Sequence, residues 1–193
     1  MSTMTRVGEG RKRVAWGITG SGDKLSQTIE VMKKIKERYM DDVDIRVYLS
    51  KAGDQVVRHY GVKSDLEENF SVIREIDSNS PFLAGQLQLG RFEFLLIAPA
   101  TSNTTAKILL GIADSLLSNA AIMALKGFTP VYIMPVDLRE GIVVTRRPSG
   151  EELKIRVRKE DAENARRLSR IEGVTVLEEP EEIFDVFSER FGR

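Results

Sequence analysis

Short apolar runs alternate with amphipathic stretches along the first two thirds of the chain. Residues 14–19 form an apolar run that ends in a glycine turn, and residues 24–39 follow with apolar side chains at helical spacing. The same order recurs, and the further predicted strand and helix pairs are 45–49 with 55–60, 72–76 with 81–89, and 94–98 with 104–126, before a strand at 131–134. Because these strands are apolar on both faces, they predict a three-layer α/β fold with a mostly parallel sheet between helices.

The pattern changes after Gly141. Residues 141–147 and 152–158 are predicted strands, and the Pro148-Ser149-Gly150 sequence between them is typical of a tight turn. This predicts a C-terminal β-hairpin within residues 141–159. The remaining predicted elements are a charged helix at 160–170, a strand at 174–177 and a helix at 180–191. The sequence shows no linker, so we expect one domain over residues 1–193, with a flexible N-terminus at 1–12.

The stretch from residue 94 to residue 135 carries very few charges. Only Lys107, Asp114 and Lys126 are charged there, although charged residues make up 30% of the chain. The predicted helix at 104–126 is apolar around most of its circumference, at Ile108, Leu109, Ile112, Leu116, Ile122, Met123 and Leu125. One sheet can cover only one face of such a helix, so we expect a second copy of the chain to cover the other. The chain is therefore predicted to be a homo-oligomer, either a dimer or a trimer.

Composition excludes several classes of function. Lys and Arg number 29, as do Asp and Glu, so no overall charge favours nucleic acid or an anionic membrane. The chain has no cysteine, which excludes disulfides, thiolate nucleophiles and an iron–sulfur cluster of its own, and its single histidine, His59, argues against a metal site. The apolar stretch at 108–125 includes polar residues and is better explained as a buried helix than as a membrane span. Residues 1–13 lack the apolar region of a secretory signal, so the cytoplasm is the expected location.

Three predicted strands end in small polar residues, and the carboxyl ends of parallel strands share one edge of the sheet, where ligands bind. The first loop, Thr19-Gly20-Ser21-Gly22, offers main-chain N–H groups at a helix start, which suits a phosphate, although it could be an ordinary strand–helix turn. The second, Ser50-Lys51-Ala52, lacks the acidic residue that would bind a ribose diol, and it suits a phosphate better. The third, residues 99–105, holds four hydroxyls and the carboxamide of Asn103. These groups fit the polar edge of a heteroaromatic ring, whereas helix capping by Thr101 or Ser102 needs only one of them.

At the third loop the sequence resembles a known family. The run Ala98-Pro-Ala-Thr-Ser-Asn-Thr104, followed by Lys107, Gly111 and Asp114-Ser-Leu-Leu117, is similar to the Pro-Ala-Ser-Ala-Asn-Thr and Gly-x-x-Asp-Asn-Leu-Leu signatures of the homo-oligomeric FMN proteins of the flavoprotein family. The resemblance spans residues 12 to 137. That family includes peptidyl-cysteine decarboxylases, phosphopantothenoylcysteine decarboxylase and flavin prenyltransferases. Within it, the chain looks most like archaeoflavoproteins, which are FMN electron carriers, and dihydromethanopterin reductases.

The resemblance implies a flavodoxin-like (Rossmann-like) fold, FMN as cofactor and a set of binding residues. Phosphate contacts are implied for Ser21, Gly22 and Ser50, with Gly20 and Lys51 beside them, and flavin contacts for Thr101, Asn103 and Thr104, in a loop shaped by Pro99 and Ala100. It leaves open whether Lys107 and Asp114, which match the motif, contact flavin or a neighbouring subunit. No catalytic residue and no metal ligand is assigned.

Two departures from the family's pattern narrow the expected function. The decarboxylases' histidine segment is replaced here by Ser80-Pro-Phe-Leu-Ala-Gly-Gln-Leu, and their Pro-x-Met-Asn motif by Met134-Pro-Val-Asp137. The prenyltransferase pattern is absent from the third loop as well, so both reactions are disfavoured. The resemblance therefore implies a redox flavoprotein that passes electrons from a carrier such as ferredoxin to an acceptor. The alternative is a dihydropterin reductase.

Three further features have two interpretations each. His59 is interpreted as a surface or helix-end residue rather than a proton donor to substrate, and Trp16 as a core residue rather than a flavin-stacking one. The basic residues of the predicted hairpin are either a solvated face or a docking patch for an acidic protein such as ferredoxin, and they are Arg146, Arg147, Lys154, Arg156, Arg158 and Lys159.

Overall fold

The computed structural model describes residues 10–147 and 149–192 and contains one large and one small sheet. The strands are β1 (Lys12–Ile18), β2 (Val43–Leu49), β3 (Ser71–Arg74), β4 (Phe94–Ala100), β5 (Val131–Pro135), β6 (Gly141–Arg146), β7 (Glu152–Val157) and β8 (Val174–Val176). The helices are α1 (Leu25–Tyr39), α2 (Lys51–His59), α3 (Lys63–Asn69), α4 (Leu83–Gln88), α5 (Ser102–Leu110), α6 (Leu116–Lys126), α7 (Lys159–Leu168) and α8 (Glu182–Phe191).

The large sheet has the strand order β3-β2-β1-β4-β5-β8, and all neighbouring strands are parallel. From β1 the chain moves outward to β2 and β3, and it then returns to pair β4 with the other side of β1. The strand order therefore reverses between β1 and β4, which is where open α/β sheets bind ligands. The second sheet is the antiparallel hairpin of β6 and β7. The predicted three-layer, flavodoxin-like fold with a C-terminal β-hairpin is confirmed.

Two hydrophobic cores lie on opposite faces of the large sheet. Because successive side chains of a strand point to opposite faces, Val14, Trp16 and Ile18 of β1 pack with α1 and α8, whereas Ala15 packs with α4 and α6. Trp16 is fully buried, and its indole N–H donates to the carbonyl oxygen of Ala98 at 2.7 Å. The interpretation of Trp16 as a core residue is therefore confirmed.

The single long helix predicted over residues 104–126 is wrong, because the structure has two helices there. Gly111 ends α5 in the left-handed conformation, with φ of 71°, and glycine adopts that conformation at little cost. Ser115 then precedes α6, and its main-chain N–H donates to the Ser118 hydroxyl at 3.2 Å. Lys107 and Asp114 form an ion pair of 2.9 Å across the break. In the sequence, Gly111 marks a helix end and Ser115 a helix start, but the apolar residues keep their helical spacing across both positions.

The break changes how the apolar residues of this segment are covered. Part of α6 is covered by the chain itself, since Leu83 and Leu87 of α4 pack in the same core as Leu116 and Leu117 of α6. The chain itself therefore covers one face of α6, whereas Ile122, Met123 and Leu125 stay partly exposed. Among the described residues, four large apolar side chains are nevertheless exposed at or just after the C-terminal ends of α4, α5 and α6, and they are Leu89, Leu110, Ile112 and Phe128.

The main differences between the predicted and the observed elements lie at α2, α3 and the N-terminus. Helix α2 begins at Lys51, several residues before the predicted start, and α3 was not predicted. Residues 1–9 of the predicted flexible N-terminus lie outside the described part of the chain, and Lys12 already pairs with Val43 in the sheet. Among the described helices, none combines the length and the apolar character needed to cross a membrane.

Candidate functional site

Thr19 joins the first and third predicted loops at the carboxyl ends of β1 and β4. Its hydroxyl donates to the carbonyl oxygen of Pro99 at 2.8 Å and accepts the main-chain N–H of Thr101 at 2.9 Å. The side chain is buried, so these two bonds lie where water does not compete strongly with them. This threonine, which was not among the predicted site residues, therefore fixes the relative position of the two loops.

The second loop lies directly against the first. A Cβ placed on Gly20 would come within 2.7 Å of the Ala52 Cβ, so glycine is needed for this close approach. The Ser50 hydroxyl accepts the main-chain N–H of Gly53 at 2.9 Å and thereby caps α2. A bond of this kind uses one lone pair of Ser50, whose O–H can still donate to a ligand.

Glu75, which follows β3, occupies a position between two helix starts. Its carboxylate accepts the main-chain N–H of Lys51 at 2.8 Å and that of Leu116 at 2.9 Å. The partially positive N-terminal ends of α2 and α6 therefore share one carboxylate. Since this bond already uses the Lys51 N–H, a ligand can bind that residue only through its exposed side chain. Sequence reasoning missed Glu75, because its partners lie 24 and 41 residues away and leave no local signal.

The third loop has several separate roles for its polar side chains. Thr101 caps α5, since its hydroxyl oxygen accepts the Thr104 main-chain N–H at 3.3 Å. The Ser102 hydroxyl donates to the carboxylate of Asp137, which follows β5. Asn103 is exposed, and Thr105 is buried with no hydrogen-bond partner for its hydroxyl among the described residues. Capping by Thr101 therefore occurs, as the alternative interpretation held, but it does not involve the side chains of Ser102 and Asn103.

A cavity of about 370 Å³ opens at the carboxyl edge where β1, β4 and β5 end. Four predicted site residues line it, namely Gly20, Ser21, Gly22 and Thr101. The other six do not, and they are Ser50, Lys51, Pro99, Ala100, Asn103 and Thr104. The remaining lining residues, absent from the predicted set, are Asp23, Tyr60, Ser102, Val136, Asp137, Val143, Val144, Thr145, Arg147, Leu153 and Ile155.

One wall of the cavity is the hairpin of β6 and β7. Val143 pairs with Ile155 and Thr145 pairs with Leu153, so their side chains share the face that borders the cavity. The sequence indicated the hairpin, but it carried no signal for its placement over the sheet edge. This wall is largely apolar and can cover one side of a planar ring.

Tyr60 covers the first loop. Its ring lies so close to Gly22 that a Cβ on Gly22 would come within 2.1 Å of a ring carbon. Any other residue at this position would displace the ring or the loop, because the packing leaves no room for a methyl group. Tyr60 follows the end of α2 next to His59, which is exposed at the last position of that helix. This position matches the interpretation of His59 as a helix-end residue.

The donors of the first loop fit an anionic group. Within the part of the chain that the structure describes, the main-chain N–H groups of Gly20, Ser21 and Gly22 have no hydrogen-bond acceptor. Unpaired N–H groups just before a helix bind phosphate well. The first loop lies beside a cavity that has one apolar wall and the polar groups of Ser102 and Asp137. This arrangement fits a phosphate joined to a flat heteroaromatic ring, as in FMN.

Comparisons with known proteins agree with this geometry. The family model described as Flavoprotein matches residues 3–189. A protein of Methanocaldococcus jannaschii, described as uncharacterized protein MJ0730, is 49% identical over 172 residues, covering 89% of this chain and 91% of that protein. The dihydromethanopterin reductase (acceptor) of the same organism is 34% identical, covering 92% of this chain and 96% of the reductase.

A solved structure is similar over almost the same span. DmrB of Burkholderia xenovorans, crystallised in complex with FMN and described as a cubic protein cage for redox transfer, is 32% identical with a TM-score of 0.79, covering 94% of this chain and 96% of DmrB. The resemblance first seen in the third loop thus extends along nearly the whole sequence and the whole sheet. The chain belongs to the flavoprotein family.

Proposed function

We propose that this protein binds FMN at the carboxyl edge of its sheet and passes electrons from a carrier protein such as ferredoxin to an acceptor. The proposal rests on one observation, namely that three features lie around the same cavity. These are the unpaired N–H groups of the first loop, the polar groups of Ser102 and Asp137, and the apolar hairpin wall. Family membership and the FMN complex of DmrB support the same cofactor.

The residues of the chain would divide the work of binding. The first-loop N–H groups hold the phosphate, with the Ser50 hydroxyl as an additional donor from the neighbouring loop. Thr101 and Asn103 of the third loop contact the flavin, while the hairpin keeps water from one face of the ring. When bound, FMN supplies the redox chemistry, and the protein orients it and tunes its potential. The roles of Ser50 and Asn103 depend on FMN reaching beyond the cavity, because neither residue lines it.

A second candidate is a dihydropterin reductase, in which the acceptor is a reduced pterin. It is favoured by the relative named dihydromethanopterin reductase (acceptor), which is 34% identical over nearly both full lengths. The two candidates share the cofactor and differ in the acceptor. Turnover of a dihydropterin by FMN-loaded protein with an artificial electron donor would select the reductase, whereas reduction of the protein without pterin turnover would select the electron carrier.

Loading with FMN tests the shared part of the proposal. We expect the purified chain, mixed with excess FMN and desalted, to retain a yellow chromophore in stoichiometric amount. Riboflavin is the matched control, because it has the same ring but no phosphate, and we expect it to be lost on desalting. Absence of bound FMN would overturn the proposed function, and equal retention of riboflavin would remove the phosphate role of the first loop.

We also propose that the protein works as a homo-oligomer of at least two copies. Phe128 is 95% exposed and Leu89 is 68% exposed, and they lie at the same end of α4 and α6, where Thr129 donates to the Leu87 carbonyl at 2.8 Å. Exposed apolar side chains grouped in this way are typical of subunit contacts. The cage described for DmrB supports assembly. Light scattering should return a multiple of 21.7 kDa, and Phe128→Asp should lower that mass, whereas a wild-type mass of one chain would contradict the proposal.

A further inference from the structure

The hairpin of β6 and β7 has an outer face that combines exposed apolar and basic side chains. Ile142 is 75% exposed and Val144 is 55% exposed. In the antiparallel register Ile142 pairs with Arg156, and Val144 pairs with Lys154. Side chains of directly opposed residues share one face, so these four residues form a single patch, the outer hairpin patch.

The two cations of the outer hairpin patch are available to a partner. Lys154 and Arg156 are exposed, and neither forms an ion pair with another residue in the described ranges 10–147 and 149–192. The chain as a whole has a formal net charge of zero, so this positive charge is local. Neighbouring Arg158, by contrast, is engaged with Asp161 at 2.6 Å. The patch therefore presents two unpaired positive charges beside two exposed apolar side chains.

The patch lies directly behind the wall of the candidate FMN cavity. The opposite face of the same two strands, including Val143 and Ile155, lines the cavity, and Val144 borders it as well. A protein bound to the outer hairpin patch would therefore lie no farther from the cavity than the thickness of one β-ribbon. The position suits electron transfer, which requires a short separation but no direct contact between donor and acceptor.

We propose that the outer hairpin patch docks an acidic one-electron carrier protein that delivers electrons to the cavity behind it. The inference rests on the proposed FMN site. Two successive encounters each transfer one electron and leave the carrier oxidised by one electron each time. The two electrons, together with two protons from solvent, are what a two-electron reduction of the acceptor requires. Transient redox complexes have small interfaces, and the outer hairpin patch would form the centre of one.

Charge complementarity favours an acidic protein over a two-fold contact between identical patches of two copies. In a two-fold contact between identical patches, Lys154 and Arg156 would face the same cations, and like charges placed together oppose association. An acidic carrier instead gains attraction at long range, which raises its association rate by steering. Two cations on a chain of zero net charge are too few for binding along a nucleic-acid backbone, where many phosphates are neutralised.

The test compares two double variants that change the net charge equally. Lys154→Glu/Arg156→Glu reverses the patch, and the control Lys34→Glu/Arg166→Glu reverses exposed cations of α1 and α7. Each FMN-loaded protein is mixed anaerobically with a reduced, acidic [2Fe–2S] ferredoxin, and the second-order rate of flavin reduction is measured. At low salt we expect the patch variant to be slower by about 10-fold or more and the control to stay within about twofold of wild type. In about 0.5 M NaCl the difference should nearly disappear, because salt screens the attraction.

Photochemical reduction and FMN binding separate the two proposals. If all variants bind FMN and are photoreduced equally, a patch variant that accepts electrons from ferredoxin at the wild-type rate overturns the docking surface. An equal slowing in the control, or a wild-type protein that ferredoxin does not reduce, also overturns it. A lower oligomer mass in the patch variant would assign the patch to a contact between copies and overturn it too. If wild type binds no FMN, the proposed function fails first and the docking proposal with it.

Discussion

Replacing Glu75 by alanine should destabilise the protein more than an ordinary surface substitution. The variant removes one carboxylate that accepts two main-chain N–H groups, from Lys51 at 2.8 Å and from Leu116 at 2.9 Å. Both donors stand at helix starts, α2 and α6, where no intrahelical acceptor can replace the lost one. The loss is therefore shared by two elements that lie far apart in sequence.

The expected cost follows from these two bonds. A hydrogen bond to a charged group contributes about 1.5–3 kcal/mol when it is well shielded, and a charge at a helix start adds about 0.3–1 kcal/mol. Glu75 is only half-buried, so water can solvate the freed N–H groups and the low end of these ranges applies. We expect Glu75→Ala to lower the free energy of unfolding by about 3–4 kcal/mol, which is a fall in Tm of about 6–16 °C for a chain of this size.

Urea unfolding at one fixed protein concentration measures this effect, because association would otherwise change the apparent stability. The matched control is Glu68→Ala on α3, an exposed glutamate without an ion pair among the described residues, which should stay within about 0.5 kcal/mol of wild type. Glu75→Gln keeps one acceptor oxygen and should fall between wild type and Glu75→Ala. If Glu75→Ala and Glu68→Ala unfold at the same urea concentration, the carboxylate does not join the two helices as described.

Three further predictions concern the site and the acid stability of the fold. Asn103→Ala should leave the fold intact, since the side chain is exposed, and weaken FMN binding about 5- to 30-fold in a fluorescence titration through the loss of one or two hydrogen bonds; unchanged affinity and potential would remove Asn103 from the site. Gly22→Ala places a methyl group against the Tyr60 ring and should weaken FMN about 10-fold or more, while adding Tyr60→Ala in the same chain should restore part of the affinity. Hydrogen bonds from Arg158 lower the pKa of Asp161 in the folded protein. Because the unfolded state therefore binds the proton more readily, the stabilisation by this pair is complete above about pH 5 and is lost as the pH falls below about 4. Asp161→Asn should therefore show a shallower loss of unfolding free energy between about pH 5 and pH 3, and parallel curves for both proteins would contradict this.

Much of the fold follows from local pattern. The alternation of apolar runs with amphipathic stretches predicted the parallel sheet, and the turn at Pro148-Ser149-Gly150 predicted the hairpin, because side-chain periodicity and turn chemistry are properties of neighbouring residues. The third loop also carried the family signature. Its resemblance was enough to identify the flavoprotein family, which the full-length match later confirmed.

At the break between α5 and α6, residues that end and start helices were present in the sequence, but the apolar periodicity of the segment dominated the prediction. Gly111 and Ser115 mark the end of one helix and the start of the next, yet apolar spacing across them predicted a continuous helix. The break lets α6 pack against α4, where Leu116 and Leu117 share a core with Leu83 and Leu87. That contact joins segments about 30 residues apart, and periodicity within either segment does not report it.

What the sequence alone determined is the set of elements, the three polar loops at one sheet edge and the family. Only the tertiary structure decided which of these groups meet. It placed the hairpin as a wall over the edge, set Tyr60 on Gly22, and brought Glu75 to the starts of α2 and α6. The physical reason is that each of these contacts joins residues far apart in the chain, and its energy depends on packing and hydrogen bonds that exist only after the sheet has formed.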